Sequence, residues 1–275
     1  MTAPPKLTDR TALLRNRARA QEDALFLHDW VADEIKERLS EVKKTFTNIA
    51  IVTGFPDYWQ RLFPEASVVP DEETLALGQA AHDLVLHVMA LHWANDPVGQ
   101  LVQCRRALQP DGLLIATALG GQTLHELRSS LAEAEIAIRG GLSPRIAPMG
   151  EIRDLGALLQ RAGFAMPVAD GTPLTVTYAN AFHLMHDLRK MGENNALSDR
   201  PRHPTARNVL TEASSIYAQH FRADDGKRVN ATFELITLSG WAPDDSQPQP
   251  LRPGSATTRL AEALGTKETP LKSSG

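Results

Sequence analysis

Hydrophobic positions in the first 45 residues recur at helical spacing. Leu13, Leu14, Ala18, Ala24, Leu25, Leu27, Val31, Ile35 and Leu39 mark a helical stretch over 8–45. Arg15, Arg17 and Arg19 lie on its early polar face, which reads as solvated, with an anion-binding patch as the alternative. The period then changes. Asn48 to Thr53 is a short apolar run closed by Gly54 and Pro56, the pattern of a buried parallel strand entering a turn. Asp57–Phe63 has room for one short helix. Ala66–Val69 and Asp83–Met89 read as the next strands, and the second leads into the loop Leu91–Asp96. Asp96 followed by Pro97 is an N-cap with proline at the first helical position, starting a helix to about Leu108. Pro110-Asp-Gly112 reads as a turn into a strand, Leu113–Leu119.

Helices follow over Thr123–Arg139 and Met149–Ala162, the second stopped by Gly163. A strand over Pro173–Tyr178, helices over Ala181–Met191 and Arg207–Phe221, a turn at Asp224–Gly226 and a last strand at Ala231–Leu238 complete the pattern. From Pro243 the composition turns to Pro, Ser, Gln and Thr, which predicts an extended tail with a short helix at Thr258–Leu264. Strands alternating with helices through short loops predict an α/β domain with a mostly parallel sheet. The organisation expected is an N-terminal helical segment (1–45), an α/β domain (46–242, with an insertion at 120–150) and a tail (243–275).

Composition narrows the function classes. The 275 residues are 42% hydrophobic and 23% charged, enough for a sizeable core. Aromatics at 5% and a net charge of -4 argue against a nucleic-acid-binding face. Cys104 is the single cysteine, so an internal disulfide and a cysteine-based metal site are excluded, and within its helix it reads as a packed small hydrophobe. The polar start and the lack of any bilayer-length apolar run lead us to expect a cytoplasmic protein without a transmembrane segment. No Ser/His/Asp order, zinc spacing or phosphate-binding loop is present, and no metal is expected.

The stretch Asp83-Leu-Val-Leu-His-Val-Met-Ala-Leu-His-Trp-Ala-Asn-Asp-Pro97, with Leu108-Gln-Pro-Asp-Gly-Leu113, resembles class I S-adenosylmethionine (SAM)-dependent methyltransferases. Gly120-Gly-Gln-Thr-Leu-His-Glu-Leu-Arg128, Gly140-Gly-Leu-Ser-Pro144, Asp154-Leu-Gly-Ala-Leu-Leu-Gln-Arg-Ala-Gly-Phe164 and Met191-Gly-Glu-Asn194 resemble a narrower branch. That branch holds the methyltransferase-fold assembly factor of respiratory complex I and is akin to the malonyl-carrier-protein methyltransferase of biotin synthesis. The resemblance covers roughly residues 65–240. It implies a Rossmann-like class I methyltransferase fold, SAM as cofactor, and a protein partner of the respiratory-complex type.

The departures from that pattern decide what is expected of the site. The family binds SAM with a glycine-rich turn after its first strand and an acidic residue nearby. Here the turn reads Ile51-Val-Thr-Gly-Phe-Pro-Asp-Tyr58: Gly54 alone remains, and the strand before it has no carboxylate. Asp57 is either a substitute or an ordinary loop or cap residue. If Ala66–Val69 with Asp71, Glu72 and Glu73 matches the adenine-binding strand, one strand–helix unit is missing and the ribose contact goes with it. The expected cofactor set is Gly54, Asp57, Asp71, Glu72, Leu91, His92 and Trp93, with His92 also the catalytic candidate. His87, mid-strand, reads as a core histidine. Gly121, Thr123, Glu126, Arg128, Arg145, Glu193 and Asn194 lie in the loops that the resemblance assigns to substrate or partner binding; each also reads as a turn, cap or salt bridge. The leading expectation is a superfamily member with a degraded SAM motif that acts as an assembly or maturation factor. The alternative is an active methyltransferase with an atypical cofactor pocket.

Overall fold

The apolar runs become the centre of one twisted sheet. In the computed structural model, which describes residues 6–248 and 260–266, the first strand is β1 (Ile49–Thr53). It pairs in parallel with β2 (Ser67–Pro70) on one side and β3 (His82–Val88) on the other. β4 (Leu108–Leu119) continues the parallel half beyond β3. The sheet closes with a long antiparallel pair, β5 (Ala165–Tyr178) and β6 (Val229–Trp241), in the order β2-β1-β3-β4-β6-β5.

Side-chain alternation sends the central strands' residues to two cores. Ile51, Leu84 and Leu86 join one, and Ala50, Val52 and Val85 the other, all fully buried. α2 (Phe26–Glu41), α5 (His125–Arg139), α7 (Ala181–Lys190) and α8 (Arg207–His220) give buried side chains to the first. α4 (Pro97–Ala107) and α6 (Ile152–Arg161) cover the second. Asp96 caps α4 as its spacing requires, accepting the Gly99 N–H at 2.8 Å behind Pro97.

The expected shortening of the first half is visible in the topology. Between β1 and β3 the chain places one helix, α3 (Pro56–Leu62), and one strand, β2, which lies directly beside β1. β2 thus stands in the place beside β1 that the Rossmann order gives the ribose strand, so the expected match of Ala66–Val69 to the adenine-binding strand does not hold. The unit absent is the one after it, and Asp71 reaches the carboxyl end of the sheet next to the end of β1.

Several boundaries differ from the sequence reading. The helical stretch over 8–45 divides into α1 (Arg10–Arg17), a 3₁₀ turn (Glu22–Ala24) and α2. β4 begins at Leu108 rather than Leu113 and absorbs the expected turn, with Asp111 at φ 57°. β5 starts at Ala165 rather than Pro173. Pro167, Gly171 and Pro173 read as breakers, yet β5 is an edge strand, where proline's missing N–H on the outer side takes no hydrogen bond away.

The described residues up to Asp244 form one compact unit and those from Asp245 on a second. In the second, Leu260–Ala263 makes a four-residue helix, α9. Of the expected tail, 249–259, which include Thr258, and 267–275 lie outside the described residues.

Candidate functional site

In open α/β sheets ligands bind beyond the carboxyl ends of the strands. Here the ends of β1 and β2 are covered by α1, and Arg17 occupies the space between them. Gly54 follows β1, and a Cβ at that position would overlap Arg17 Cζ, Nε and Nη1. Arg17 Nη1 donates to both oxygens of Asp71, at 2.8 and 2.9 Å, and Arg10 Nη2 donates to Oδ1 at 2.9 Å. The Arg17 and Asp71 side chains are 4% and 6% exposed. Arg17 Cζ also lies 5.9 Å from the centre of the Phe55 ring. Burial pushes the Asp71 carboxyl up, but the charges and hydrogen bonds of Arg17 and Arg10 outweigh it and hold it below the usual carboxylate range. Arg17 Nε and Nη2 are buried without an acceptor among the described residues.

α1 is docked by Ala12 and Leu13, buried with Trp93, Ala147, Ala196 and Leu197, and by a set of polar contacts. Asp9 caps it by accepting the Ala12 N–H at 3.1 Å and also receives Arg200 and Arg202. Thr8 and Leu197 form an antiparallel bridge, and the Asp9 N–H donates to Ala196 O at 2.8 Å. Gly192, at φ +79°, lets the 191–197 loop pass close under the helix: a Cβ there would sit 3.2 Å from Arg17 Cα.

That loop carries Glu193 into a second buried group. The 3₁₀ turn Leu91–Trp93 follows β3, and Trp93 Nε1 donates to Glu193 Oε2 at 2.7 Å. His92 Nε2 lies 3.4 Å from the same oxygen, while His92 Nδ1 accepts the Leu119 N–H at 3.4 Å. That acceptor role fixes the proton on Nε2, so both ring nitrogens are committed to internal bonds. Burial pushes the Glu193 carboxyl up; its bond to His92, the nearby Arg17 charge and the Trp93 N–H hold it below the usual range. Glu193 Oε1 is buried without a partner among the described residues. His28, against Phe55 and accepting the Trp59 Nε1–H at 3.1 Å, is pushed down to about 4 by burial.

Beyond Trp93 opens a cavity of about 550 Å³. Leu119, Leu124, Leu127, Leu131, Met149, Met185 and Phe233 supply apolar walls, and Arg145, Arg189, Arg200, Glu193 and Asn194 supply polar ones. Arg145 is fixed by Glu135, with Nε to Oε1 at 3.0 Å, and by Thr205 Oγ1 at 2.6 Å.

The structure brings together some of the residues singled out from sequence and separates others. Gly54 and Asp71 meet at Arg17, and His92 and Trp93 meet at Glu193. Leu91 is core. Asp57, in the first turn of α3, and the Glu72 side chain are exposed to solvent, outside both groups. Arg145, Glu193 and Asn194 line the cavity. Gly121, Thr123, Glu126 and Arg128 do not line it and instead tie the start of α5 to β6 and to the preceding turn. Thr123 Oγ1 accepts the Glu234 N–H, Glu126 Oε1 accepts from Thr232 Oγ1, and Arg128 donates to the carbonyls of Gly121 and Thr123. His87 is fully buried, with Nε2 3.0 Å from Gln100 Oε1, and Cys104 is fully buried. Among the described residues no cluster of His, Cys, Asp and Glu could hold a metal ion, and no helix is long and apolar enough to cross a membrane.

Arg17 is the residue that sequence reading placed wrongly. Grouped with Arg15 and Arg19 as a solvated face, it is buried, whereas Leu14 is 51% exposed. The signal available was spacing: Arg17 stands four residues after Leu13, on the buried side of α1.

A mostly parallel sheet with helices on both faces, with its one inward strand reversed beside the edge, defines a Rossmann-like α/β protein of the class I methyltransferase type. A family described as "Methyltransferase domain" matches residues 31–116. The chain belongs to the class I methyltransferase superfamily, in the branch it shares with two groups of relatives. "Arginine-hydroxylase NDUFAF5, mitochondrial" from Dictyostelium discoideum is 41% identical over 67% of this chain and 42% of its own length. The protein of the same name from Danio rerio is 40% identical over 72% of this chain and 61% of its own. "Malonyl-[acyl-carrier protein] O-methyltransferase" from Halorhodospira halophila is 33% identical over 63% of this chain and 57% of its own. The chain thus spans less than two thirds of the length of these relatives.

Proposed function

We propose that this chain is a divergent member of its branch whose SAM-binding half has decayed, and that it works by binding a protein, as an assembly or maturation factor of the respiratory-complex type. The observation that carries the reading is the Arg17–Asp71 ion pair seated against Gly54. Of the two places where the family would hold its cofactor, the glycine turn has the Arg17 side chain packed against it and the following acidic residue is bonded to that same side chain. Phe55 and Pro56 in the turn, and the lack of a carboxylate in β1, argue the same way, so the residues present do not fit SAM. The cavity past Trp93 is retained, which supports a binding role outlasting the cofactor half.

Two lost anchors at about 1–3 kcal/mol each weaken cofactor binding about 30- to 10⁴-fold. Calorimetry with SAM and S-adenosylhomocysteine up to millimolar concentration is expected to show no saturable heat. Affinity purification of the intact chain is expected to retain one stoichiometric protein. Micromolar cofactor binding would overturn the reading in favour of an active methyltransferase with an atypical pocket.

A further inference from the structure

The cavity past Trp93 has a charge pattern unlike that of the whole chain. The protein carries a net charge of -4, yet three arginines and one glutamate line this space. One oxygen of the glutamate is engaged: Glu193 Oε2 accepts from Trp93 Nε1 at 2.7 Å and lies 3.4 Å from His92 Nε2, while Oε1 has no partner among the described residues. Arg145 and Arg200 are held in place by Glu135 and Asp9, carboxylates that are not among the cavity-lining residues. Arg189 is exposed, and its guanidinium has no acceptor among the described residues. The remaining walls are mainly aliphatic and aromatic, and Met185 adds an adaptable side chain. At about 550 Å³ the space falls within the range of small-molecule sites, roughly 300–1,000 Å³.

We infer that this cavity binds an amphipathic anion: an apolar body against Leu127 and Phe233, with a single carboxylate directed to the arginines, chiefly Arg189. Apolar walls supply affinity in proportion to the area taken from water, and fixed cations select the head group. The opposite selection, for a cationic head, would rest on Glu193 Oε1 alone, since Oε2 is taken by Trp93 and His92, and it would be opposed by three arginine charges in the same lining. The inference does not depend on the closed cofactor cleft, since Arg17, Gly54 and Asp71 are not part of these walls.

The test is calorimetric titration of the intact chain with decanoate, 1-decanol and decylammonium, which share one apolar chain and differ in the head. Decanoate is expected to bind about tenfold tighter than decanol, with decylammonium weakest. Arg189→Glu, on an exposed side chain that folding does not need, is expected to weaken decanoate about tenfold and to favour decylammonium. Met185→Trp, which fills the cavity, is expected to abolish binding of all three, with Tm measured alongside to confirm a folded protein. Tightest binding of decylammonium would overturn the inference and make Glu193 the selecting group. Equal binding of the three heads, no binding at millimolar concentration, or binding unchanged by a folded Met185→Trp would each overturn it too. None of these outcomes bears on the SAM titration, so the two readings fail separately.

Discussion

Replacing Asp71 by Asn should disturb this protein more than replacing Arg17 by Met, although the two changes break the same ion pair. Both side chains are nearly sealed from water, at 6% and 4% exposure. Removing one partner of a buried pair leaves an uncompensated charge, at about 3–5 kcal/mol. Asp71→Asn meets that cost in full, because the Arg17 guanidinium stays buried and already has two nitrogens without an acceptor. Arg17→Met is milder for two reasons. Asp71 keeps Arg10 at 2.9 Å, and the two unsatisfied donors disappear, which returns about 1–3 kcal/mol each. The expected destabilisations are therefore about 4 kcal/mol for Asp71→Asn and about 1–2 kcal/mol for Arg17→Met. The double variant should lie well below their sum, with a coupling of about 2 kcal/mol.

Melting temperature reads this directly, at about 2–4 °C per kcal/mol for a chain of this size, so Asp71→Asn should lose about 10 °C. The cycle belongs at pH 7. The folded pKa of Asp71 is depressed, so its stabilisation is complete above the unfolded carboxylate range and is lost as pH falls through the folded value. A loss under 1 kcal/mol for Asp71→Asn, or strict additivity, would show that the pair does not hold α1 over the cleft.

Two further measurements follow from burial. His28 has its pKa pushed down to about 4 from an ordinary 6.5, so between those values the unfolded chain binds the extra proton. Stability present above pH 6.5 should fall by about 3 kcal/mol on acidification to pH 4, and His28→Asn, which keeps an acceptor near Trp59 Nε1, should flatten that part of the urea-denaturation profile. A slope unchanged by the substitution would assign the acid sensitivity to other groups. Cys104 is fully buried with its thiol pushed up to about 12, so a thiol reagent at pH 8 should label it only on unfolding; rapid labelling of native protein would contradict its packing between α4 and the sheet.

The sequence by itself determined the central sheet and the start of α4. Ile49–Val52 and Leu84–Leu86 are apolar runs because parallel strands are covered on both faces, and Asp96–Pro97 is a local capping signal that needs no distant partner. The short span from Gly54 to Ala66 also determined that the first half would be compressed, since so few residues hold one helix and no more. What lay beyond the sequence depends on partners far along the chain. β5 runs through Pro167 and Pro173 because its neighbour β6 lies on one side and solvent on the other, which only the sheet order reveals. Glu193 acts with Trp93 across a separation of 100 residues, and Arg17 meets Asp71 across 54. No local pattern marks such a pair, because a guanidinium is buried only where a distant carboxylate balances its charge. Tertiary structure therefore decided what occupies the cleft beside Gly54, and it is a side chain of the protein's own first helix.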